Sequence, residues 1–262
     1  MFKDILYEVK DRVAWIKFNR PEYGNAFSDD SFEEIPIALK QAEVDETVRA
    51  IVLTGVGKMF CAGGDINQFK DMIENDNGGL PKSMIIATGK VALAIRACPK
   101  PVISSINGAA AGAGLGVALA SDFRIMEKKS SLVTAFINMA FPGDTGVLYF
   151  LQQMVGTAVA TELMMLSPAV KGERALALGL ANRVVEDGSL TEGTLEFAQQ
   201  IADLPTLTVQ KQKQLFNEFF YADLERFTQR EAELMNDASK RDDHKEAVEA
   251  FLAKRKPVFK GE

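Results

Sequence analysis

One histidine, two cysteines and one tryptophan are spread through 262 residues. The lone histidine, His244, leaves almost no base for a Ser-His-Asp or Cys-His nucleophile system. Its setting, Lys240-Arg241-Asp242-Asp243-His244-Lys245-Glu246, predicts a residue on an exposed helix face. Cys61 and Cys98 belong to no CxxC pair and no Cys/His array, which argues against a disulfide framework or structural zinc and fits a reducing, cytoplasmic setting. Positive charge is not in excess: 30 Lys and Arg stand against 36 Asp and Glu, a net charge of −6. That balance argues against non-specific binding to nucleic acid or to anionic membranes. No apolar run reaches the roughly 18 residues of a membrane span, and the apolar segment 109–120 is short and glycine-rich. The start, Met1-Phe2-Lys3-Asp4-Ile5, has no basic-then-apolar leader pattern. There is no internal repeat and no low-complexity segment. Trp15 and the methionines read as core.

What is present is small residues in two particular places. Lys100-Pro101-Val102-Ile103-Ser104-Ser105-Ile106-Asn107-Gly108 is a short apolar strand, followed by Ala109 to Gly116, all alanine and glycine but for Leu115, and an apolar helix over 113–120. Upstream, the strand Ala50-Ile51-Val52-Leu53-Thr54-Gly55 precedes the turn Phe60-Cys61-Ala62-Gly63-Gly64-Asp65. A strand running through a small-residue turn into a helix brings backbone N–H groups close to a ligand that larger side chains would hold off. Two such turns predict two donors converging on one oxygen.

Around these turns the chain reads as α/β. Ile5, Tyr7 and Val9, then Ala14, Ile16 and Phe18, alternate as an opening hairpin through Lys10-Asp11-Arg12. Ser31 with Glu34 predicts a capping box for a helix to about Ala42, with Pro36 awkward inside it. A helix is expected from Ile66 to Ile73, a mobile loop over Glu74-Asn75-Asp76-Asn77-Gly78-Gly79, an amphipathic helix from Met84 to Cys98 and a strand over 123–126. Helices follow at Thr145–Val155, Ala158–Leu166 and Arg174–Leu178, the last closed by Gly179. Beyond Asp187 the pattern turns wholly helical, over 191–203, 206–235 and 242–254. The expected division is a core over 1–187 and a helical region over 188–262, whose Phe216, Phe219, Phe220, Tyr221 and Phe227 call for something large to pack on.

Taken in order, Asn19-Arg20-Pro21 with Asn25-Ala26-Phe27-Ser28, the 60–65 turn, Asn107-Gly108 through Asp122, Ala175-Leu176 through Asn182 with Val184, and Ala250-Phe251-Leu252-Ala253-Lys254-Arg255 resemble the crotonase superfamily, the enoyl-CoA hydratase/isomerase family, over nearly the whole chain. The resemblance implies a crotonase-type ββα spiral core with a helical C-terminal trimerisation region. It implies an acyl-CoA thioester substrate, with coenzyme A part of the substrate and no separate cofactor. It also implies a homo-oligomer, a trimer or dimer of trimers. Carried over, the oxyanion donors are the N–H groups of Gly64 and Ala113. Ala113 opens a helix, where an unpaired donor lies at the positive end of the dipole. Backbone around Ala26, Ala62, Asp65 and Ile66 is implied to cradle the adenine end. Phe251 and Lys254 match a C-terminal pair that reaches a neighbouring subunit's nucleotide, and Phe136 falls at the acyl site. Cys61 is implied to face away and pack.

The glutamate pair of the resembling hydratases falls on Gly116 and Phe136, so neither carboxylate is present. Asp144, in Phe141-Pro142-Gly143-Asp144-Thr145-Gly146, falls where several family isomerases carry one acid. A single base beside an oxyanion site suits moving a proton between carbons. A solvated Asp titrates near 3.9, so Phe136, Phe141, Val147 and Leu148 would have to desolvate it. The alternative role for Asp144 is N-cap of the helix after it. The dehalogenase branch of the family carries Trp and His where this chain has Phe136 and Gly89, which counts against that chemistry. The expected activity is an acyl-CoA isomerase. The alternatives are a hydratase using Asp144 and a water, and a catalytically silent acyl-CoA binder.

Overall fold

Asp11 and Arg12 both take left-handed backbone conformations (φ 50° and 66°), which matches a tight turn to the right-handed twist of its strands. They join β1 (Ile5–Lys10) to β2 (Val13–Phe18). A computed structural model describes residues 2–75 and 79–262, with only the backbone of Lys82. Asp76, Asn77 and Gly78, the centre of the expected mobile loop, lie outside the described residues. Among the described residues the chain continues through α1 (Asp29–Val44), β3 (Ala50–Gly55), α2 (Ile66–Glu74), α3 (Lys82–Ala97), β4 (Val102–Ile106), β5 (Ala109–Ala111), α4 (Ala113–Ala120), β6 (Phe123–Glu127), β7 (Ser131–Val133), α5 (Val147–Leu166), β8 (Val170–Lys171), α6 (Gly172–Ala177) and β9 (Arg183–Val185). Four helices close it: α7 (Leu190–Ala202), α8 (Thr206–Phe220), α9 (Leu224–Ala238) and α10 (Asp242–Leu252). Short 3-10 turns occupy Pro21–Tyr23 and Phe136–Met139.

The main sheet runs β1-β2-β3-β4-β6-β9, parallel except for the β1–β2 hairpin. β5-β7-β8 form a second sheet, parallel between β5 and β7 and antiparallel between β7 and β8. One face of the main sheet buries Val13, Trp15, Val52, Ile103 and Ile125 under Leu190, Phe197 and Ile201 of α7, so the first helix beyond residue 187 is part of this packing. The other face and α1, α3, α4 and α5 enclose the larger core.

Some expectations of local structure are corrected. The α1 cap is Ser28, not Ser31: Ser31 is the third helical residue, its N–H donates to Ser28 Oγ and its Oγ receives the Ser28 N–H. Glu34 instead accepts the N–H groups of Lys3 and Asp4. Pro36 sits inside α1 without ending it. The stretch 206–235 is two helices, broken at Tyr221-Ala222-Asp223. His244 is buried, not exposed: its ring stacks on Phe141 with centroids 4.1 Å apart, and Nδ1 lies 2.9 Å from the Met139 carbonyl. Burial lowers its pKa and favours the neutral ring. Gly156, at φ 73° and ψ 167°, breaks α5 between the two expected helices.

Candidate active site

The Asn19-Arg20-Pro21 segment ties the N-terminal loop to the first small-residue turn. Arg20 donates to the Ala26 carbonyl at 2.6 Å and to Asp65 Oδ2 at 2.8 Å, with Asp4 3.5 Å away. Asn25, in a left-handed conformation, receives the Arg20 N–H at 3.0 Å and donates to the carbonyls of Val56 and Met59. The Asp65 side chain caps α2 by receiving the Asn67 N–H at 3.0 Å. Its carboxylate is thus engaged within the fold.

The two turns are clamped together. Cys61 donates its N–H to the Ala109 carbonyl at 3.1 Å and receives the Ala111 N–H at 2.9 Å. Gly114 permits this approach, because a β-carbon there would lie 2.5 Å from Cys61 Cβ. The residues preceding the two donors meet directly: a β-carbon on Gly112 would lie 3.6 Å from Gly63 Cα. The Gly63 N–H goes to Cys61 Sγ, the Asp65 N–H to Phe27 O and the Gly112 N–H to Val133 O. Among the described residues the N–H groups of Gly64 and Ala113 have no such acceptor. Ala113 opens α4, which is buried along its whole length, so its free donor sits at the positive end of a desolvated helix. Cys61 is fully buried and its thiol is pushed up to about 12 by that burial, which keeps it an inert packing group.

Both donors line a cavity of about 640 Å³. Asp144 lines the same cavity, together with Ala26, Ala62, Asp65, Ile66, Phe136 and Phe251. Lys254 does not; Arg255 and Pro257 line the rim there, and Arg255 is held in a paired contact by Glu246. Phe251 reaches the cavity of its own chain. Beyond Asp144 lies a narrower, mostly apolar recess between Phe32, Phe69, Leu80, Met84, Ile85 and Met235.

Asp144 is not a helix cap. α5 starts three residues later, with Gly146 as its N-cap and no side-chain bond. Among the described residues the carboxylate receives only the Thr145 hydroxyl, at 2.8 Å. Burial raises its pKa from the ordinary 3.8 to about 6, with the Thr145 hydroxyl opposing the rise. Phe136 and Phe141 supply the walls; Leu148, also expected as a wall, is 37% exposed. The turn is strained: Gly143, Thr145 and Gly146 all have positive φ (143°, 54° and 74°), and for a β-branched residue such as Thr145 this costs roughly 1–3 kcal/mol.

A second buried carboxyl escaped the sequence reading. Glu231 on α9 receives the Gly146 N–H at 2.8 Å. Burial, with a lesser contribution from the charge of Asp144, pushes its pKa up to about 8 against the opposing effect of the Gly146 N–H. It does not line the cavity; it stands behind the turn. The available signal was its register: Leu224, Thr228, Glu231, Ala232 and Met235 share the buried face of α9.

Free paired donors beside one elevated-pKa carboxylate, at the mouth of an apolar recess, can hold a polarised carbonyl oxygen and exchange a proton with the neighbouring carbon. Comparison with known proteins gives the family of the chain. Residues 8–262 match the profile of the family described as Enoyl-CoA hydratase/isomerase. The chain is 32% identical over 260 residues to the Trans-2-decenoyl-[acyl-carrier-protein] isomerase of Streptococcus mutans, covering 99% of each chain. It is 33% identical over 261 residues to the 1,2-epoxyphenylacetyl-CoA isomerase of Escherichia coli K12, covering 100% of each. A solved structure of an enoyl-CoA hydratase from Mycobacterium avium subsp. paratuberculosis superposes with a TM-score of 0.90 at 24% identity, covering 99% of this chain and 100% of that one, a likeness of fold. The chain belongs to the enoyl-CoA hydratase/isomerase family of the crotonase superfamily.

Proposed function

We propose that this protein is an acyl-CoA isomerase that shifts a double bond, or rearranges a related unsaturated acyl group, through a thioester enolate. In this account the Gly64 and Ala113 N–H groups hold the enolate oxygen. Asp144 takes the proton from the carbon next to the thioester and returns it further along the chain. Coenzyme A is carried in as part of the substrate. Donors of this kind are worth roughly 10² to 10³ in rate each.

The observation that carries the proposal is Asp144 itself: one desolvated carboxylate, free of capping duty, in the cavity that also receives both donors. A pKa near 6 leaves it ionised at neutral pH yet more basic than a solvated aspartate, which is what proton abstraction from carbon needs. The absence of side-chain carboxylates at Gly116 and Phe136 favours isomerisation over a two-carboxylate hydration. Both relatives quoted above from curated proteins are isomerases by name.

Ala26, Ala62, Asp65 and Ile66 are proposed to receive the nucleotide end through their backbone, and Phe251 to close over it. Assembly as a trimer or dimer of trimers is proposed from the face of α8, where Leu207, Leu215, Phe216, Phe219 and Phe220 are all exposed. Among the described residues no helix is long and apolar enough to cross a membrane.

The variant Asp144→Asn tests the role of the acid. Acyl-CoA affinity is expected to stay within about threefold, while turnover falls by about 10² to 10⁴. Turnover at the wild-type rate would remove Asp144 from the mechanism.

A further inference from the structure

The turn that carries Asp144 has three residues of positive φ in four and begins and ends on glycine. Left to itself such a segment samples many conformations. Two contacts restrain it. Thr145 is wedged against α4, where a β-carbon on Gly116 would lie 2.5 Å from Thr145 Cβ. The second comes from α9. Glu231 Oε2 receives the Gly146 N–H at 2.8 Å, and a β-carbon on Gly143 would lie 3.4 Å from Glu231 Oε1. One carboxyl thus bonds the Gly146 end of the turn and lies beside the Gly143 end, with Asp144 and Thr145 between them.

The helix bearing Glu231 is itself fixed. Thr228, three residues earlier, packs on Gly89 of α3, where a β-carbon would come within 2.8 Å of Thr228 Cβ. Met235, one turn later, lines the cavity. A buried carboxyl is costly unless something in the native state needs it, and this one is 8% exposed. A leucine would fill the space on the apolar stripe of α9, but it offers no acceptor to the Gly146 N–H.

We infer that Glu231 is a positioning residue for Asp144, holding the Gly143–Gly146 turn so that the Asp144 carboxylate stays aimed into the cavity. This rests on the proton-transfer role proposed for Asp144. It assigns to α9, beyond the residues that line the site, control over the geometry of the acid. Glu231 touches neither donor and does not line the cavity, so its effect belongs in turnover rather than in acyl-CoA binding. A misplacement of about 1 Å at a reacting group costs roughly a hundredfold.

The experiment compares Glu231→Leu and Glu231→Gln with wild type, reading solvent-deuterium exchange into trans-3-hexenoyl-CoA and crotonyl-CoA. Glu231→Leu removes the acceptor; Glu231→Gln keeps one at the same reach. Expected is a loss of about 10² in kcat for Glu231→Leu with KM within threefold, and recovery to within tenfold of wild type for Glu231→Gln. Should Glu231→Leu not yield folded protein, Glu231→Asp, shorter by one methylene, stands in and is expected to lose kcat as well. Unchanged kcat in the acceptor-deficient variant overturns the inference, and so does failure of Glu231→Gln to recover it. If wild type exchanges neither thioester, it is the enolate mechanism that has failed. The positioning claim is then read from the carbon-13 carboxyl titration of Asp144, assigned with Asp144→Asn. An Asp144 midpoint that differs between Glu231→Leu and Glu231→Gln supports it; one midpoint shared by both and by wild type overturns it.

Discussion

Gly116 on α4 and Thr145 in the acid-bearing turn stand so close that a β-carbon on Gly116 would lie 2.5 Å from Thr145 Cβ and 2.6 Å from Thr145 Cγ2. This contact leaves no room for a side chain at Gly116, the position where the resemblance leads one to look for a glutamate. The space is taken by the turn that presents Asp144. Gly116→Ala is expected to destabilise the fold by about 2–4 kcal/mol, since the neighbours that must give are a helix backbone and a strained turn. Gly116→Glu is expected to lose activity without gaining hydration. Urea unfolding midpoints and product analysis check both; a Gly116→Glu protein of wild-type stability that hydrates crotonyl-CoA contradicts the packing described.

The pH dependence of turnover follows from the environment of Asp144. The carboxylate is the working form, so activity is absent well below the pKa and present above it. Because burial raises that pKa to about 6, kcat/KM for proton exchange is expected to climb through pH 6 and level off above it. A rising limb near pH 4 would mean that Asp144 is solvated.

Stability carries the opposite sign from the usual carboxylate. Glu231 has a folded pKa of about 8 against an ordinary 4.5. The native state therefore keeps a proton that the unfolded chain has already lost, and stability falls as pH rises from 4.5 through 8. Between pH 6 and pH 9 the cost is about 2 to 3 kcal/mol. Glu231→Gln retains the acceptor for Gly146 and cannot ionise, so its stability relative to wild type is expected to improve by that amount over the same interval. Chemical denaturation of both proteins at the two pH values measures it; parallel behaviour would show that Glu231 is already ionised or solvated.

Much of this site was legible because it is built from main chain. The glycine and alanine content of 60–65 and 109–116 specifies close backbone approach whatever the tertiary partners, and α4 begins and ends where its apolar run does. The hairpin was legible from alternation alone. What the sequence concealed depended on contacts made across the fold. Asp144 could be read as a cap as well as a base because it precedes a helical pattern. Two positive-φ residues after it delay α5 until Val147. Ser31 looked like a cap because Glu34 follows at the right spacing, yet Glu34 is drawn off by the backbone of Lys3 and Asp4. The break between α8 and α9 has no glycine or proline to announce it. His244 and Glu231 each sit in a charged run but fall on the buried stripe of their helix. Local composition reads such residues as solvated, and only register against the core identifies them.

The central claim is a single carboxylate moving a proton beside two main-chain donors. It is tested most directly by turning over trans-3-hexenoyl-CoA in deuterated water enriched in oxygen-18 and analysing product by mass spectrometry and NMR. The account predicts 2-hexenoyl-CoA with deuterium at the α- or γ-carbon and no solvent oxygen, and loss of that label in Asp144→Asn. Solvent oxygen in the product, or label undiminished in Asp144→Asn, would contradict it.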